Sequence, residues 1–145
     1  MNKTKAEYRE IVKQASPNSS LLVSCVKAFV VGGLICDAGQ FVNNLYIGAG
    51  TPKDTASVYT SVILIFFGVL LTGLGLYQKL GKFAGAGSIV PITGFANSVA
   101  SPALEFKSEG YIFGVGAKMF VVAGPVIVYG VAASVVIGII YYFFR

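Results

Sequence analysis

Long apolar stretches, separated by short polar or glycine-rich segments, dominate the chain after residue 20. Residues 21–47 and 56–77 are each long enough for a helix that crosses the roughly 30 Å hydrocarbon core of a membrane. The second of these stretches is uncharged, which predicts a scaffold helix that faces lipid. Residues 110–144 would form a continuous helix about 50 Å long, which exceeds one bilayer core. The pattern predicts transmembrane helices joined by short turns.

Residues 83–104 are also apolar, but Pro91, Gly94 and Pro102 lie among them. Each of these residues weakens or interrupts a helical hydrogen-bond ladder. Interrupted backbone at membrane depth needs cover from protein or a water-filled cavity, and broken helices often mark the binding site of a transporter. The sequence predicts that this segment either crosses as two half-helices or enters and returns on one side.

The fold class predicted by these segments is an all-α integral membrane protein with about four transmembrane crossings. Gly124 and Pro125 predict a kink or a division in the last apolar run, and a division would give five crossings. Residues 1–20 form a polar arm, either an interfacial helix or a solvated segment, and residues 21–145 form a single membrane domain. Lysine and arginine are concentrated in the arm and after the second stretch, which favours a cytoplasmic N-terminus.

Composition supports the membrane assignment and excludes several function classes. The 145 residues are 55% hydrophobic and only 12% charged, about half the charged fraction of a soluble domain. The chain has no histidine, no nucleophile beside a plausible base, no phosphate-binding loop and no metal-ligand spacing. The sequence therefore predicts no enzyme activity, no cofactor and no metal site. The net charge of +5 comes without nucleic-acid motifs, so no nucleic-acid partner is predicted.

Polar side chains within the apolar segments are the candidate permeant-binding or pore-lining groups, because such groups normally face a bundle interior or an aqueous path. Two cations against one carboxylate leave a positive excess, which suits an anionic permeant. The alternative is that these groups pair with another membrane subunit in a scaffold that conducts nothing. The candidates are Lys27, Asp37, Gln40, Asn97 and Lys118.

Two further groups of residues complete the predicted site. Glu105, Lys107 and Glu109 lie in a short charged loop that either meets a soluble partner or is simply solvated. The residues that shape the broken backbone are Pro91, Gly94, Pro102, Gly124 and Pro125.

Two tracts, PITGFANSVASPALEFKSEG at 91–110 and GVGAKMFVVAGPVIVYG at 114–130, resemble the SpoVAC/SpoVAE membrane-protein family of endospore-forming bacteria. The resemblance covers essentially the full length. It implies a multi-pass protein of the inner spore membrane that moves dipicolinic acid, chelated with calcium, during sporulation and germination. It also implies a channel formed with a SpoVAE-type membrane subunit and a soluble SpoVAD-type partner. It implies no role for any single residue.

Overall fold

Helices make up almost all of the described chain, which confirms the all-α prediction. The computed structural model describes residues 5–15 and 20–144. Short connections separate the last three helices: 3₁₀ turns at Gly85–Ser88 and Lys107–Glu109, and a π-helical turn at Tyr111–Gly116. The α-helices are α1 (Lys5–Ala15), α2 (Leu21–Gly48), α3 (Lys53–Gly73), α4 (Leu76–Ala84), α5 (Pro91–Glu105) and α6 (Ala117–Phe144).

Three of the described helical segments are long and apolar enough to cross a membrane. These are Leu21–Gly48, Lys53–Gly73 and Tyr111–Phe144. Most of their large apolar side chains are exposed, as expected of helices whose solvent is lipid rather than water. α5 has 15 residues and is therefore about 22 Å long, shorter than a bilayer core.

α2 and α3 form an antiparallel hairpin around a tight turn. Gly50 takes a φ of +87°, which glycine adopts without steric cost, and Pro52 then precedes the first residue of α3. A Cβ on Gly39 would lie 3.2 Å from the Leu64 side chain, so the glycine lets the two helices approach closely. Nearer the turn, the rings of Tyr46 and Tyr59 pack 5.4 Å apart.

The second apolar stretch ends earlier than predicted, because α3 stops at Gly73 and the chain reverses at Gly75, whose φ is +69°. Lys79 and Lys82, which follow the second apolar stretch in the sequence, lie on α4. This helix is amphipathic: Tyr77 is buried and both lysines are exposed, so it lies where apolar and polar surroundings meet.

α5 runs in the same direction as α3. A Cβ on Gly68 would lie 3.2 Å from the Thr93 carbonyl oxygen, and one turn further along both helices Thr72 is hydrogen-bonded to Asn97. Since sequence numbers rise together along the two helices, α5 leads back to the end of α3 from which α4 departs. The chain from α4 to α5 therefore turns back on itself.

The backbone interruption in this part of the chain is shorter than predicted. The structure breaks only between α4 and α5, at residues 85–90, and α5 then continues from Pro91 to Glu105. Pro91 takes the first helical position, where its missing N–H costs nothing. Gly87 packs so closely on α2 that a Cβ there would lie 2.7 Å from the Ala28 Cα.

The prediction that Gly94, Pro102, Gly124 and Pro125 divide the helices is wrong, whereas the kink at Gly124 and Pro125 stays a prediction. α5 continues through the first two residues and α6 through the last two. An internal proline removes one hydrogen bond of the ladder, and the remaining bonds carry the helix past that point. Gly94 serves packing instead, because a Cβ there would lie 3.1 Å from the Ser88 carbonyl oxygen.

Candidate functional site

A groove of about 720 Å³ lies between the C-terminal half of α2 and the N-terminal half of α3. It differs from the two other grooves described along these helices, of about 740 and 430 Å³, whose linings are almost entirely apolar. We call it the polar groove. Its polar lining residues are Gln40, Asn43, Asn44, Lys53, Ser57, Thr60 and Ser61.

The polar groove begins at the first residue of α3 and follows that helix to its middle. It runs from Lys53, the first residue of α3, to Leu64, eleven residues or about 16 Å further along the helix. Val90, Pro91 and Ile92 line it as well, so the start of α5 lies at its wall. The groove thus combines a polar outer part on the hairpin with contact to the broken backbone.

Hydrogen bonds within the hairpin order part of the groove lining. The Asn43 amide donates to the hydroxyls of Ser57 and Thr60, at 3.4 Å in each case. Those two hydroxyls donate in turn to backbone carbonyls of α3. Along α2, the Gln40 amide donates to Asn44 Oδ1 at 2.8 Å. The amide of Asn44 keeps its N–H groups available to a ligand.

The charge of the groove lining is positive. Lys53 is its one cation, and no aspartate or glutamate is among the lining residues. Within residues 5–15 and 20–144, Lys53 forms no ion pair. The Lys53 ammonium is exposed, so the single cation of the lining is accessible to an anion.

Of the predicted permeant-facing residues, Gln40 lines the polar groove. Asp37 is exposed on α2 outside the lining. The Lys27 ammonium lies 5.0 Å from the Phe83 ring centroid, and the Lys118 ammonium lies 4.3 Å from that of Phe106. These are cation–π distances.

Asn97 lies in the α3–α5 contact, where its Oδ1 is 2.9 Å from the Thr72 hydroxyl. That hydroxyl also lies 2.6 Å from the Gly68 carbonyl and has a single proton. If the oxygen and nitrogen of the Asn97 amide exchange places, its NH₂ group donates to the Thr72 hydroxyl oxygen. The hydroxyl proton is then donated to the Gly68 carbonyl, and both hydrogen bonds form. The structure thus brings Gln40 into the groove and does not bring Lys27, Asp37, Asn97 and Lys118 together there.

The remaining predicted residues occupy two places. Pro91 reaches the polar groove, whereas Gly94, Pro102, Gly124 and Pro125 lie outside its lining. The three charged residues are exposed: Glu105 ends α5, and Lys107 and Glu109 lie in the 3₁₀ turn that follows it.

Sequence reasoning missed most of the polar groove, because it treated the second stretch as lipid-facing scaffold. Lys53, Ser57 and Ser61 are spaced four residues apart, which places them on one face of a helix. Asn43 and Asn44 mark the same level of α2. This spacing indicates a polar face on α3, but it predicts a groove only once α3 is known to pack against α2.

Comparison with known proteins gives the family. The profile of the family described as SpoVAC/SpoVAEB sporulation membrane protein matches residues 24–140. The chain belongs to this family. It is 50% identical to Stage V sporulation protein AC of Bacillus subtilis (strain 168), over 146 aligned residues that cover 100% of this chain and 97% of the relative. No solved structure matches the chain.

Proposed function

We propose that this sporulation membrane protein is a channel or transport subunit for dipicolinic acid, with its calcium, across the inner spore membrane. Family membership supports the place in sporulation, and the resemblance described above supplies the permeant. The single structural observation that carries the proposal is the polar groove, a positively charged depression in an otherwise apolar membrane surface. Permeant uptake in sporulation and release in germination would use the same path.

The shape of the groove favours a shared conduit. It is open along its side and about half a bilayer deep, so this chain alone provides one wall of a path. A membrane subunit of the SpoVAE type would supply the opposite wall. The connection that holds Glu105, Lys107 and Glu109 is exposed and charged, which suits contact with a soluble partner of the SpoVAD type.

The proposed topology has three crossings, by α2, α3 and the segment 111–144, with residues 76–105 entering and leaving on one side. The shared direction of α3 and α5 and the short length of α5 support this arrangement. It places most Lys and Arg residues on the N-terminal side, leaving Lys53 and Arg145 opposite, as the positive-inside rule favours. The N-terminus would be cytoplasmic, on the core side, and the C-terminus would lie across the membrane.

Lys27 and Lys118 keep the proposed role of permeant-facing cations, with Asp37 as counter-charge or calcium-facing group. In this topology both lysines lie in the halves of their helices nearer the N-terminal side, at the opposite end of the path from Lys53. Each ammonium lies over an aromatic ring and forms no ion pair within residues 5–15 and 20–144, so both could meet an anion. Asn97 and Gln40 would supply polar lining.

One observation favours the second candidate function, a membrane scaffold that anchors other subunits and conducts nothing. Residues 126–144 of α6 are exposed throughout, and Gly130, Ser134 and Gly138 lie on one face of that helix. Such a small-residue seam permits close packing of another helix.

Dipicolinate efflux from liposomes tests the choice between conduit and scaffold. Efflux would be compared for this chain, for the chain with its SpoVAE-type subunit, and for Lys27→Ala, Asp37→Asn and Lys118→Ala in each preparation. We expect efflux that requires both subunits and falls in the lysine variants with assembly intact. Absence of efflux from every combination, with and without membrane tension or the soluble partner, would favour the scaffold.

A further inference from the structure

We propose that the polar groove is a binding site for a small organic carboxylate, in which Lys53 and the amide of Asn44 hold the anion. Lys53 was not a candidate from the sequence, and both residues line the groove. The site lies on the hairpin of α2 and α3, away from Lys27 and Lys118.

The charge balance of the lining identifies the class of ligand. A cation would be repelled by the Lys53 ammonium, with no carboxylate in the lining to hold it, and a neutral solute would gain nothing from the positive charge. A carboxylate satisfies the ammonium directly, and charge-assisted hydrogen bonds of this kind are about twice as strong as neutral ones.

The hydrogen bonds already formed determine which other groups can reach the ligand. The hydroxyls of Ser57 and Thr60 donate to backbone carbonyls, so their protons are committed. Asn44 accepts from Gln40 through Oδ1, which orients its amide and leaves its two N–H donors free. The groups that can donate to an oxygen anion from the two helices are therefore Lys53, Asn44 and the second N–H of the Gln40 amide.

The apolar part of the lining indicates a ligand with a hydrocarbon or aromatic body. Ile35, Ile47 and Leu64 line the same groove as the polar groups. Binding sites for small molecules commonly combine apolar walls with a few placed polar groups, and a volume near 720 Å³ lies within their usual range. The start of α5, without a side-chain cap, adds a partial positive charge at the wall.

The binding experiment uses the full chain in lipid nanodiscs and three probes: dipicolinate, benzene-1,3-dicarboxylate and the neutral dimethyl ester of the latter. The choice of dipicolinate rests on the proposed function, whereas the choice of a carboxylate rests on the groove. We expect saturable binding of both dicarboxylates and at least tenfold weaker binding of the ester. Absence of saturable binding, or equal affinity for the ester, would overturn the proposal.

Two substitutions in the groove and one outside it locate the site. Lys53→Gln removes the cation, and Asn44→Asp places a carboxylate at the amide position while keeping an acceptor for Gln40. Each is expected to weaken dicarboxylate binding about tenfold or more. Lys79→Gln, at an exposed lysine of α4, is the matched control and should bind as the unmodified chain does. Normal thermal unfolding would establish that the variants fold.

Affinities that are unchanged in both groove variants would overturn the assignment, even in a complex that conducts dipicolinate. Weaker binding in both variants, together with a complex that never conducts, would support the site and contradict the transport function. The two proposals can therefore fail separately.

Discussion

Gly87→Ala tests the contact that holds the broken backbone against α2. A Cβ at this position would clash with the Ala28 carbonyl oxygen and lie 2.7 Å from the Ala28 Cα, where ordinary contact begins at 3.4 Å. The difference of 0.7 Å (3.4 minus 2.7) must come from movement of backbone, since the obstructing atoms belong to α2 itself. Overpacking of this kind costs about 1–3 kcal/mol.

The expected effect is a rise in the unfolding equilibrium constant, about 30-fold for a loss of 2 kcal/mol. Reversible unfolding in mixed detergent micelles measures it. Gly33→Ala is the matched control, because Gly33 also lies in an apolar helix and a Cβ there meets nothing within 4 Å. Alanine in a helix interior is expected to stabilise by up to about 1 kcal/mol. Equal stability of the two variants would refute the close packing of residues 85–88 on α2.

Three further predictions test individual contacts elsewhere in the fold. Tyr77→Phe removes the hydroxyl that donates to the part-buried Ser88 carbonyl oxygen, 2.7 Å away. This change should lower the free energy of unfolding by about 1–2 kcal/mol in the same assay. Tyr59→Phe, at an exposed tyrosine of α3, is the control and should change it little. A double-mutant cycle of Thr72→Val and Asn97→Leu should give a coupling of about 0.6–1.7 kcal/mol, and additive losses would show that this contact is not a hydrogen bond. Lys118→Met should lose the cation–π contact with Phe106 and about 0.5–1 kcal/mol of stability, whereas Lys118→Arg should retain both. Equal stability of these two variants would argue against that contact.

The fold could be predicted from the sequence where hydrophobic length decides the structure. The apolar run beginning at Leu21 gave the first span within one residue, since α2 ends at Gly48. The interruption near Pro91 was also expected, but its extent was not. Proline and glycine residues weaken a helix by amounts that packing can overcome. Gly68 supports the α3–α5 contact, and Gly94 packs on residues 88–89 instead of ending α5.

The candidate site was less predictable, because its groups come from two helices. Ser57 and Lys53 are ordinary residues at the start of an apolar helix, and only their apposition to Asn43 makes a polar lining. The sequence pattern instead favoured the ionisable residues of the apolar runs, because a charged side chain within a membrane has a high free-energy cost. Cation–π contacts account for the positions of Lys27 and Lys118 within this chain, and aromatic partners at long sequence separation cannot be inferred from helical spacing.

The central claim is that the polar groove lies on the path of the permeant, and the two native cysteines test it most directly. Cys36 is exposed and lines the groove near the middle of α2, whereas Cys25 is exposed on the same helix outside the lining. A charged, membrane-impermeant thiol reagent would be applied to two reconstituted complexes. In one, this chain carries Cys25→Ala and keeps Cys36; in the other, it carries Cys36→Ala and keeps Cys25. We predict that the reagent modifies Cys36 and lowers dipicolinate efflux several-fold, and that dipicolinate slows this modification. Modification of Cys25 should leave efflux unchanged. Unchanged efflux after complete modification of Cys36 would contradict the claim.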